Sequence, residues 1–281
     1  MLWHDRQGRL SPLKLAVLVA VLAPGLWIGW KFLAGMLGPK PINAALHEIG
    51  LWSVRFLLLT LAITPIRLIT GWNRLILVRR ILGVSVFVYA LIHLVFYIAD
   101  LKFDLARVAS EIVLRFYLLI GFFGLAGLAA LAATSTDSAI RQLGPQRWNR
   151  LHSLAYPIAL LALWHGALQS KIDASEHIVM TGAFLALMAV RWMRGRVPLN
   201  ALSLLALALI AVTATAVIEM LWYGLATGIA PQRIFAANFM LALQPRPALV
   251  VGMIALCLPV LALAFKMPSN RVTGHRALQS N

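Results

Sequence analysis

The sequence predicts an all-α protein, a polytopic membrane helix bundle of about eight transmembrane helices. Of the 281 residues, 61% are hydrophobic and 12% are charged, whereas about a quarter of the residues in a soluble domain are charged. The mean hydropathy is +0.85, and several apolar runs approach the roughly 20 residues that cross about 30 Å of hydrocarbon. The longest polar stretch, about 223–247, is too short to fold as a separate soluble domain.

The predicted spans are apolar segments that end at charged residues or at Pro and Gly. They lie at about 13–35, 49–69, 81–100, 113–134, 151–169, 178–193, 199–222 and 248–266. The first span follows a basic start, as in a signal peptide, but it stays apolar for too long and has no clear cleavage site. We therefore expect a retained helix.

The distribution of charge predicts how the spans are oriented. The formal net charge is +16, but the basic residues lie at the ends of apolar runs instead of forming a patch, which argues against a nucleic-acid partner. If the N-terminus is cytoplasmic, the inside segments hold Arg6, Arg9, Lys14, Arg67, Arg74, Arg79, Arg80, Arg141, Arg147, Arg150, Arg191, Arg194, Arg196, Lys266, Arg271 and Arg276. The other face holds Glu48, Asp100, Asp104, Glu111, Asp173 and Glu176. This bias predicts that both termini are cytoplasmic.

Histidine is costly in hydrocarbon and needs a partner there, so an intramembrane histidine is a functional candidate. Three of the histidines lie inside or at the edge of spans: His93 in the third, and His152 and His165 in the fifth. We expect the other four to be ordinary surface residues, in termini, outer loops or interfaces: His4, His47, His177 and His275. The single cysteine, Cys257, leaves no disulfide framework, covalent haem motif or thiolate metal site.

The third and fifth spans run in the same direction, so the depths of their histidines can be compared. His93 and His165 lie about 20 Å and about 22 Å above the basic starts of their helices. Two neutral histidines at one depth are what an axially coordinated b-type haem requires. The alternative is a hydrogen bond that joins two helices without a cofactor. Tyr89 and Tyr97, on the same face as His93, would line either kind of site.

His152 lies about 20 Å below His165, near the basic surface. That rise suits a second haem, but the two side chains would point about 140° apart on an ideal helix. The matching level of the third span holds Arg79 and Arg80 and no histidine. His152 is therefore predicted either to bind an inner haem with an unusual second ligand, or to contact a quinone head group or a haem propionate.

Several arginines are candidates for the acidic groups of a cofactor. Arg55 and Arg115 lie toward the outer ends of the second and fourth spans, where they would either reach the lipid head groups or pair with haem propionates. Arg79, Arg80 and Arg150, together with Arg147, would do the same for an inner cofactor or would only set the topology.

Four motifs in order resemble a known family: WSVRFLLLTLAITPIR (52–67), RRILGVSVFVYALIHL (79–94), TSTDSAIRQLGPQRWNRLHSLAY (134–156) and ALWHGALQSK (162–171). They are similar to the MsrQ (YedZ) family of haem-bearing membrane subunits, within the ferric reductase-like transmembrane group that includes the NADPH oxidases and STEAP reductases. The resemblance covers about residues 10–195. It implies a six-helix core at 1–195, so that 196–281 is a C-terminal extension with two further helices.

The resemblance also implies a function. It implies b-type haem, one or two, held by His93, His152 and His165 as iron ligands. Electrons would pass from the cytoplasmic side of a bacterial inner membrane to a periplasmic molybdopterin enzyme of the MsrP type, which reduces methionine sulfoxide in proteins. The implied donor is quinol or a cytosolic flavin reductase with FMN. Because the chain has no G-x-G-x-x-G dinucleotide motif, the donor is a separate protein or a lipid-soluble reductant.

Two other functions are compatible with the same residues. A transporter or channel whose histidines relay protons would be colourless, whereas a haem protein absorbs visible light. A stand-alone ferric or superoxide-forming reductase would need no periplasmic partner. We see no convincing internal repeat, which weakens the transporter hypothesis.

Overall fold

The computed structural model describes residues 11–170, 173–240 and 244–265. These ranges are helical and contain no β-strand. The helices are α1 (Pro12–Leu33), α2 (Pro41–Thr70), α3 (Arg79–Asp100), α4 (Leu105–Leu114), α5 (Phe116–Ala133), α6 (Asp137–His152), α7 (Ala155–Gln169), α8 (Ser175–Met193), α9 (Ala201–Thr227), α10 (Pro231–Ala237) and α11 (Pro247–Ala264). A short 3-10 turn at Asn73–Leu77 precedes α3.

All eight predicted spans are helical, and the fold class is confirmed as an all-α membrane bundle. Among the described residues, 7 helices are long and apolar enough to cross a membrane. The remaining predicted span, the sixth in order at 178–193, is α8, a helix of 19 residues that is not among those seven. Large apolar side chains are exposed along the helices, for example Leu26 at 71% and Ile210 at 65%. Such a surface suits contact with lipid chains, so the chain is a multi-pass membrane protein.

Local sequence explains where several helices begin and end. Pro41 starts α2, where its missing N–H costs nothing, and Gly71 ends the same helix in a left-handed conformation with φ of 70°. Asn200 and Ser203 form a reciprocal capping box at the start of α9. Asp104 caps α4 by accepting a hydrogen bond from the Arg107 N–H at 3.0 Å.

The prediction of one continuous helix through His152 and His165 is wrong. Helix α6 ends at His152, and α7 begins at Ala155 after a turn. Pro157 has no N–H to donate to the carbonyl of Ser153, which instead accepts from the Tyr156 N–H at 3.1 Å. The helix is also broken at Gly144, where φ is 74° and ψ is 160°. The 20 Å rise and the 140° angle between the two histidines were calculated for an ideal, unbroken helix.

A second difference concerns the segment before the fourth span. The span was placed at about 113–134, but Arg115 is extended, with φ of −105° and ψ of 107°, and separates α4 from α5. Helix α4 is short and amphipathic, with Val113 and Leu114 exposed and Val108 buried. The Arg115 side chain, predicted to lie at the outer end of this span, is exposed and lies beside Glu111.

The helices form two adjoining cores. The larger core joins α1, α2, α3, α5, α7 and α8. Two smaller clusters join α8 to α9 and α11 of the extension. Gly182 of α8 permits this second contact, because a Cβ there would overlap Thr215 of α9 and lie 2.8 Å from Val251 of α11. Helix α8 is therefore shared by the core and the extension.

The two ends of the bundle differ in charge. We call the end with Arg79, Arg80, Arg150 and Arg191 the basic end, and the end with Glu48, Glu111, Asp173 and Glu176 the acidic end. The terminal residues that completed the predicted basic pattern lie outside the described residues: Arg6, Arg9, Lys266, Arg271 and Arg276.

Candidate functional site

His93 of α3 and His165 of α7 meet inside the bundle. Their ring centroids are 6.3 Å apart and the ring planes are nearly perpendicular, at 88°. His93 Nδ1 lies 2.9 Å from the Leu46 carbonyl oxygen of α2, and His165 Nδ1 lies 2.8 Å from the Tyr117 carbonyl oxygen of α5. A carbonyl accepts only, so each Nδ1 carries the proton, and each Nε2 keeps a lone pair.

Two glycines make these hydrogen bonds possible. A Cβ on Gly50 would lie 2.7 Å from His93 Nδ1, and a Cβ on Gly121 would lie 2.8 Å from His165 Cε1. Each glycine follows the accepting carbonyl by four residues, one helical turn, so it clears the space directly above that carbonyl. The same arrangement thus occurs twice: a carbonyl orients the ring, and a glycine admits it.

The distance between the rings fits a shared metal. Metal–imidazole bonds are about 2 Å long, and each centroid lies about 1.1 Å beyond its nitrogen, so two imidazoles on opposite sides of one metal have centroids about 6 Å apart. The observed 6.3 Å agrees with this value, whereas two rings joined directly by a hydrogen bond with nitrogens about 3 Å apart would have centroids about 5 Å apart. Orientation of a ligating histidine through its other nitrogen is typical of metal sites.

A cavity of about 320 Å³ adjoins the two rings. Its walls are mostly apolar and come from α2, α3, α4, α5, α7 and α8. Gly124 lines the cavity, and a Cβ there would meet nothing within 4 Å, so the space beside α5 is open. No group of three or more potential metal-ligating side chains occurs in the described part of the chain. A macrocyclic cofactor that brings its own ligands and needs only two axial donors therefore suits the site better than a bare ion.

Tyr97 adds a polar group to this cavity. Its hydroxyl oxygen is buried and has no hydrogen-bond partner, and the residue lines the cavity one helical turn beyond His93. An unsatisfied buried polar group costs about 1–3 kcal/mol, so such a group in a native protein calls for an explanation.

The arginines predicted to face the outer cofactor lie at the acidic end. Arg55 forms an ion pair with Glu176, which lines the cavity, and its guanidinium lies 4.8 Å from the Trp52 ring centroid. Arg115 lies 2.7 Å from Glu111 and donates to the Tyr117 hydroxyl at 3.0 Å. The hydrogen bond to Tyr117 and the nearby Glu111 raise the pKa of Arg115 above its ordinary value. Neither arginine is itself in the cavity wall.

His152 lies apart from the other two histidines. Its Nε2 is 3.1 Å from the Thr134 hydroxyl, and its ring stacks on Trp148 with centroids 3.9 Å apart. Trp148 donates to the Thr134 carbonyl at 2.9 Å, so the three side chains form one cluster at the basic end. No other histidine lies against this ring in the described residues, and His152 is not in the cavity wall. Arg79 lies near enough to act electrostatically on it.

The remaining predicted residues of the basic end are separated. Arg80 pairs with Asp137 at 2.6 Å, and Arg150 is exposed. The structure thus brings His93 and His165 together and leaves the basic-end residues as a loose group around the α5–α6 turn.

Two histidines that the sequence analysis assigned to the surface line the cavity. His177 of α8 packs against Gly166, and its Nδ1 lies 2.8 Å from the Ser170 hydroxyl. His47 of α2 is exposed at the same end. Asp173, also in the wall, accepts from the Ser175 N–H at 2.9 Å, and hydrogen bonds from Ser175 lower the pKa of its carboxyl. Gly166, the residue after His165, was the sequence feature that could have indicated this position of His177, because the lack of a side chain there leaves room for its ring. The other two surface assignments, His4 and His275, lie outside the described residues.

Comparison with known proteins identifies similar sequences. The family described as "Ferric reductase like transmembrane component" matches residues 49–163, a range that contains His93 and His152 and ends two residues before His165. No solved structure matches the chain.

Three curated relatives carry the printed name "Protein-methionine-sulfoxide reductase heme-binding subunit MsrQ". The protein of Rhodospirillum rubrum is 42% identical over 189 residues, which are 67% of this chain and 88% of the relative. The protein of Xanthomonas campestris is 42% identical over 64% of this chain and 86% of the relative. The protein of Caulobacter vibrioides is 38% identical over 64% and 86%. About a third of this chain thus has no counterpart in these relatives.

Proposed function

The chain belongs to the MsrQ family, a branch of the ferric reductase-like transmembrane proteins, and from this premise we propose that it carries haem b and passes electrons across the bacterial inner membrane. The observation that supports the proposal most is the pair of imidazoles 6.3 Å apart, each with Nδ1 bound to a backbone carbonyl. The relatives of this family are named as haem-binding subunits of a methionine sulfoxide reductase.

When bound, the haem iron would supply the one-electron chemistry, while the protein supplies binding, orientation and electrostatics. His93 and His165 would be the axial ligands. The carbonyls of Leu46 and Tyr117 fix the tautomer, so that both imidazoles stay neutral and present Nε2. The apolar walls exclude water, and the cations of the acidic end, Arg55 and Arg115, would balance the propionates.

The donor and the acceptor lie on opposite sides in this proposal. Both termini would be cytoplasmic, so the basic end faces the cytoplasm and the acidic end faces the periplasm. Electrons would enter from quinol or from a cytosolic flavin reductase with FMN, and would leave to a molybdopterin-containing partner of the MsrP type. The cavity lies toward the acidic end, where such a partner would dock.

His152 would act at the basic end of the bundle, where electrons enter. Its cluster with Thr134 and Trp148, beside Arg79, offers a polar, partly buried surface at the basic end. Such a surface fits a quinone head group, or the edge of an inner haem for which the described residues show no second histidine. Arg80 and Arg150 would add positive charge around that entry point.

The test is the spectrum of the purified protein and of its histidine variants. Wild type is expected to show a Soret band and a sharp α band that respond to dithionite, and the perpendicular rings predict the highly anisotropic low-spin type of EPR signal. His93→Ala and His165→Ala should each lose this haem. His152→Ala should keep it but accept electrons more slowly from the cytoplasmic side, by about tenfold if the entry group is lost.

His47→Ala is the matched control, because His47 lines the same cavity but its Nδ1 contacts only the Asn43 carbonyl of its own helix, at 2.8 Å. It should retain full haem. A colourless wild-type protein would favour the histidine-relay alternative, and full low-spin haem in His93→Ala or His165→Ala would refute the axial pair.

A further inference from the structure

The tyrosines of this chain differ in whether the hydroxyl group has a hydrogen-bond partner in the protein. Of the 5 tyrosines, four have a hydroxyl group with a protein partner. Tyr89 donates to the Val21 carbonyl, Tyr117 accepts from Arg115, Tyr156 accepts from Arg191, and Tyr223 accepts from the Ala174 N–H. Only the hydroxyl of Tyr97 is buried without a partner.

The surroundings of Tyr97 limit what that partner can be. The residue lines the cavity, so a group in the cavity can reach the hydroxyl. Glu111, Arg115 and Arg107 are near enough to act electrostatically on it. Glu111 lies 2.7 Å from Arg115 and 3.8 Å from Arg107. Because Glu111 is paired with these cations and is not a partner of the Tyr97 hydroxyl, the partner left to that hydroxyl is a group in the cavity.

The position of Tyr97 relative to His93 indicates which group of a bound cofactor would reach the Tyr97 hydroxyl. Both side chains lie on one face of α3, and Tyr97 is one helical turn nearer to the acidic end. A haem held by His93 and His165 would bring a carboxylate to the Tyr97 hydroxyl if its propionate edge faced the acidic end. A hydroxyl that donates to a carboxylate makes a short, charge-assisted hydrogen bond.

We propose that the Tyr97 hydroxyl donates a hydrogen bond to a propionate of the bound haem and so directs the propionate edge toward the acidic end of the bundle. The proposal rests on the haem site proposed above and adds the orientation of the ring. Tyr117 contacts Arg115 through its hydroxyl and His165 through its carbonyl.

Tyr97→Phe tests this role with minimal change in packing. In the purified holoprotein, resonance Raman spectra should show one propionate bending mode at lower frequency than in wild type. The midpoint potential should become more negative, since the propionate regains charge. Haem dissociation to apomyoglobin should be about tenfold faster, the effect of losing one hydrogen bond to a charged group.

Tyr89→Phe is the matched control. Tyr89 lies on the same helix and is 5% exposed, but its hydroxyl is bound between the Val21 carbonyl and the Gly25 N–H, at 2.7 and 2.8 Å. That variant should leave the propionate mode and the potential at wild-type values, even if it lowers the melting temperature.

Reconstitution with iron protoporphyrin dimethyl ester separates the hydrogen bond from packing. The ester carries no charge and can accept only a weaker, neutral hydrogen bond, so the difference in release rate between wild type and Tyr97→Phe should fall well below tenfold. A tenfold difference that persists with the ester would show that the hydroxyl acts by packing and would overturn the proposal. Unchanged Raman and dissociation data for Tyr97→Phe would do the same, whereas absence of haem from wild type would overturn the proposed function instead.

Discussion

At the scale of single residues, the contact between His93 and His165 depends on two glycines. His93 and His165 reach backbone carbonyls of neighbouring helices, and each passes over a glycine to do so. Without Gly50 and Gly121 the rings would be displaced, because interiors of packed helices yield little to an added methyl group. The glycines are therefore as necessary to the geometry as the carbonyls they follow.

Gly50→Ala and Gly121→Ala are each expected to reduce haem content strongly and to shift the remaining haem toward the high-spin form. The added Cβ would lie 2.7 Å from His93 Nδ1 or 2.8 Å from His165 Cε1, closer than unbonded atoms approach. Gly83→Ala on α3 is the control, because its Cβ would lie at an ordinary 3.8 Å from Thr60. Absorption spectra and pyridine haemochrome assays measure both effects. Wild-type haem content in the first two variants would contradict the role of the glycines.

At the scale of helices, prolines inside α2 and in the first turn of α7 leave carbonyls free, and other groups donate hydrogen bonds to these carbonyls. Pro65 cannot donate to the Leu61 carbonyl, and Arg191 of α8 donates to it instead at 2.6 Å. The same guanidinium reaches the Tyr156 hydroxyl at 3.2 Å and lies 5.3 Å from its ring centroid. Arg191, one of the basic residues from which the topology was predicted, therefore joins α8 to α2 and α7.

Arg191→Met should lower the stability of the bundle by about 1–3 kcal/mol, because the Leu61 carbonyl is left without a donor in an apolar setting. Thermal unfolding in detergent, followed by circular dichroism, measures the loss. Arg194→Met removes an exposed cation from the same end and should change stability by less than about 0.5 kcal/mol. Equal effects of the two substitutions would mean that only positive charge matters at this end.

At the scale of the whole molecule, the extension is attached to the core through α8 and is stabilised by its own buried polar network. Glu219 is fully buried; it accepts from Arg246 at 2.7 Å and from the Asn238 side-chain amide at 2.5 Å. Asn238 in turn accepts from the Ala248 N–H at 3.1 Å. These contacts join α9, α10 and α11 into one unit. Tyr223 of that unit donates to Asp173 and accepts from Ala174 beside the cavity.

Glu219→Ala is expected to destabilise the extension by about 1–3 kcal/mol, since Asn238 stays buried while Arg246, with 39% of its side chain exposed, can turn to water. Limited proteolysis between α9 and α11 should become faster, and the haem spectrum should stay unchanged because the paired histidines lie in the other core. Thr213→Ala, at an exposed position of α9, is the control. A shifted haem spectrum in Glu219→Ala would show that the two cores are coupled more tightly than their contacts indicate.

The sequence by itself determined the membrane class, the helical spans, the asymmetry of charge and the histidines of interest, because hydropathy and charge act along the chain over about 20 residues at a time. It also placed His93 and His165 at one depth, since helical rise is regular. It did not predict the helix breaks at the extended residue Arg115 and at the turn between His152 and Pro157, which interrupt that regularity. Only the tertiary structure decided which carbonyls orient the rings, which glycines admit them, and that Tyr97 is left unpaired. Those features depend on the facing surfaces of two helices, and no local pattern encodes the distance between them.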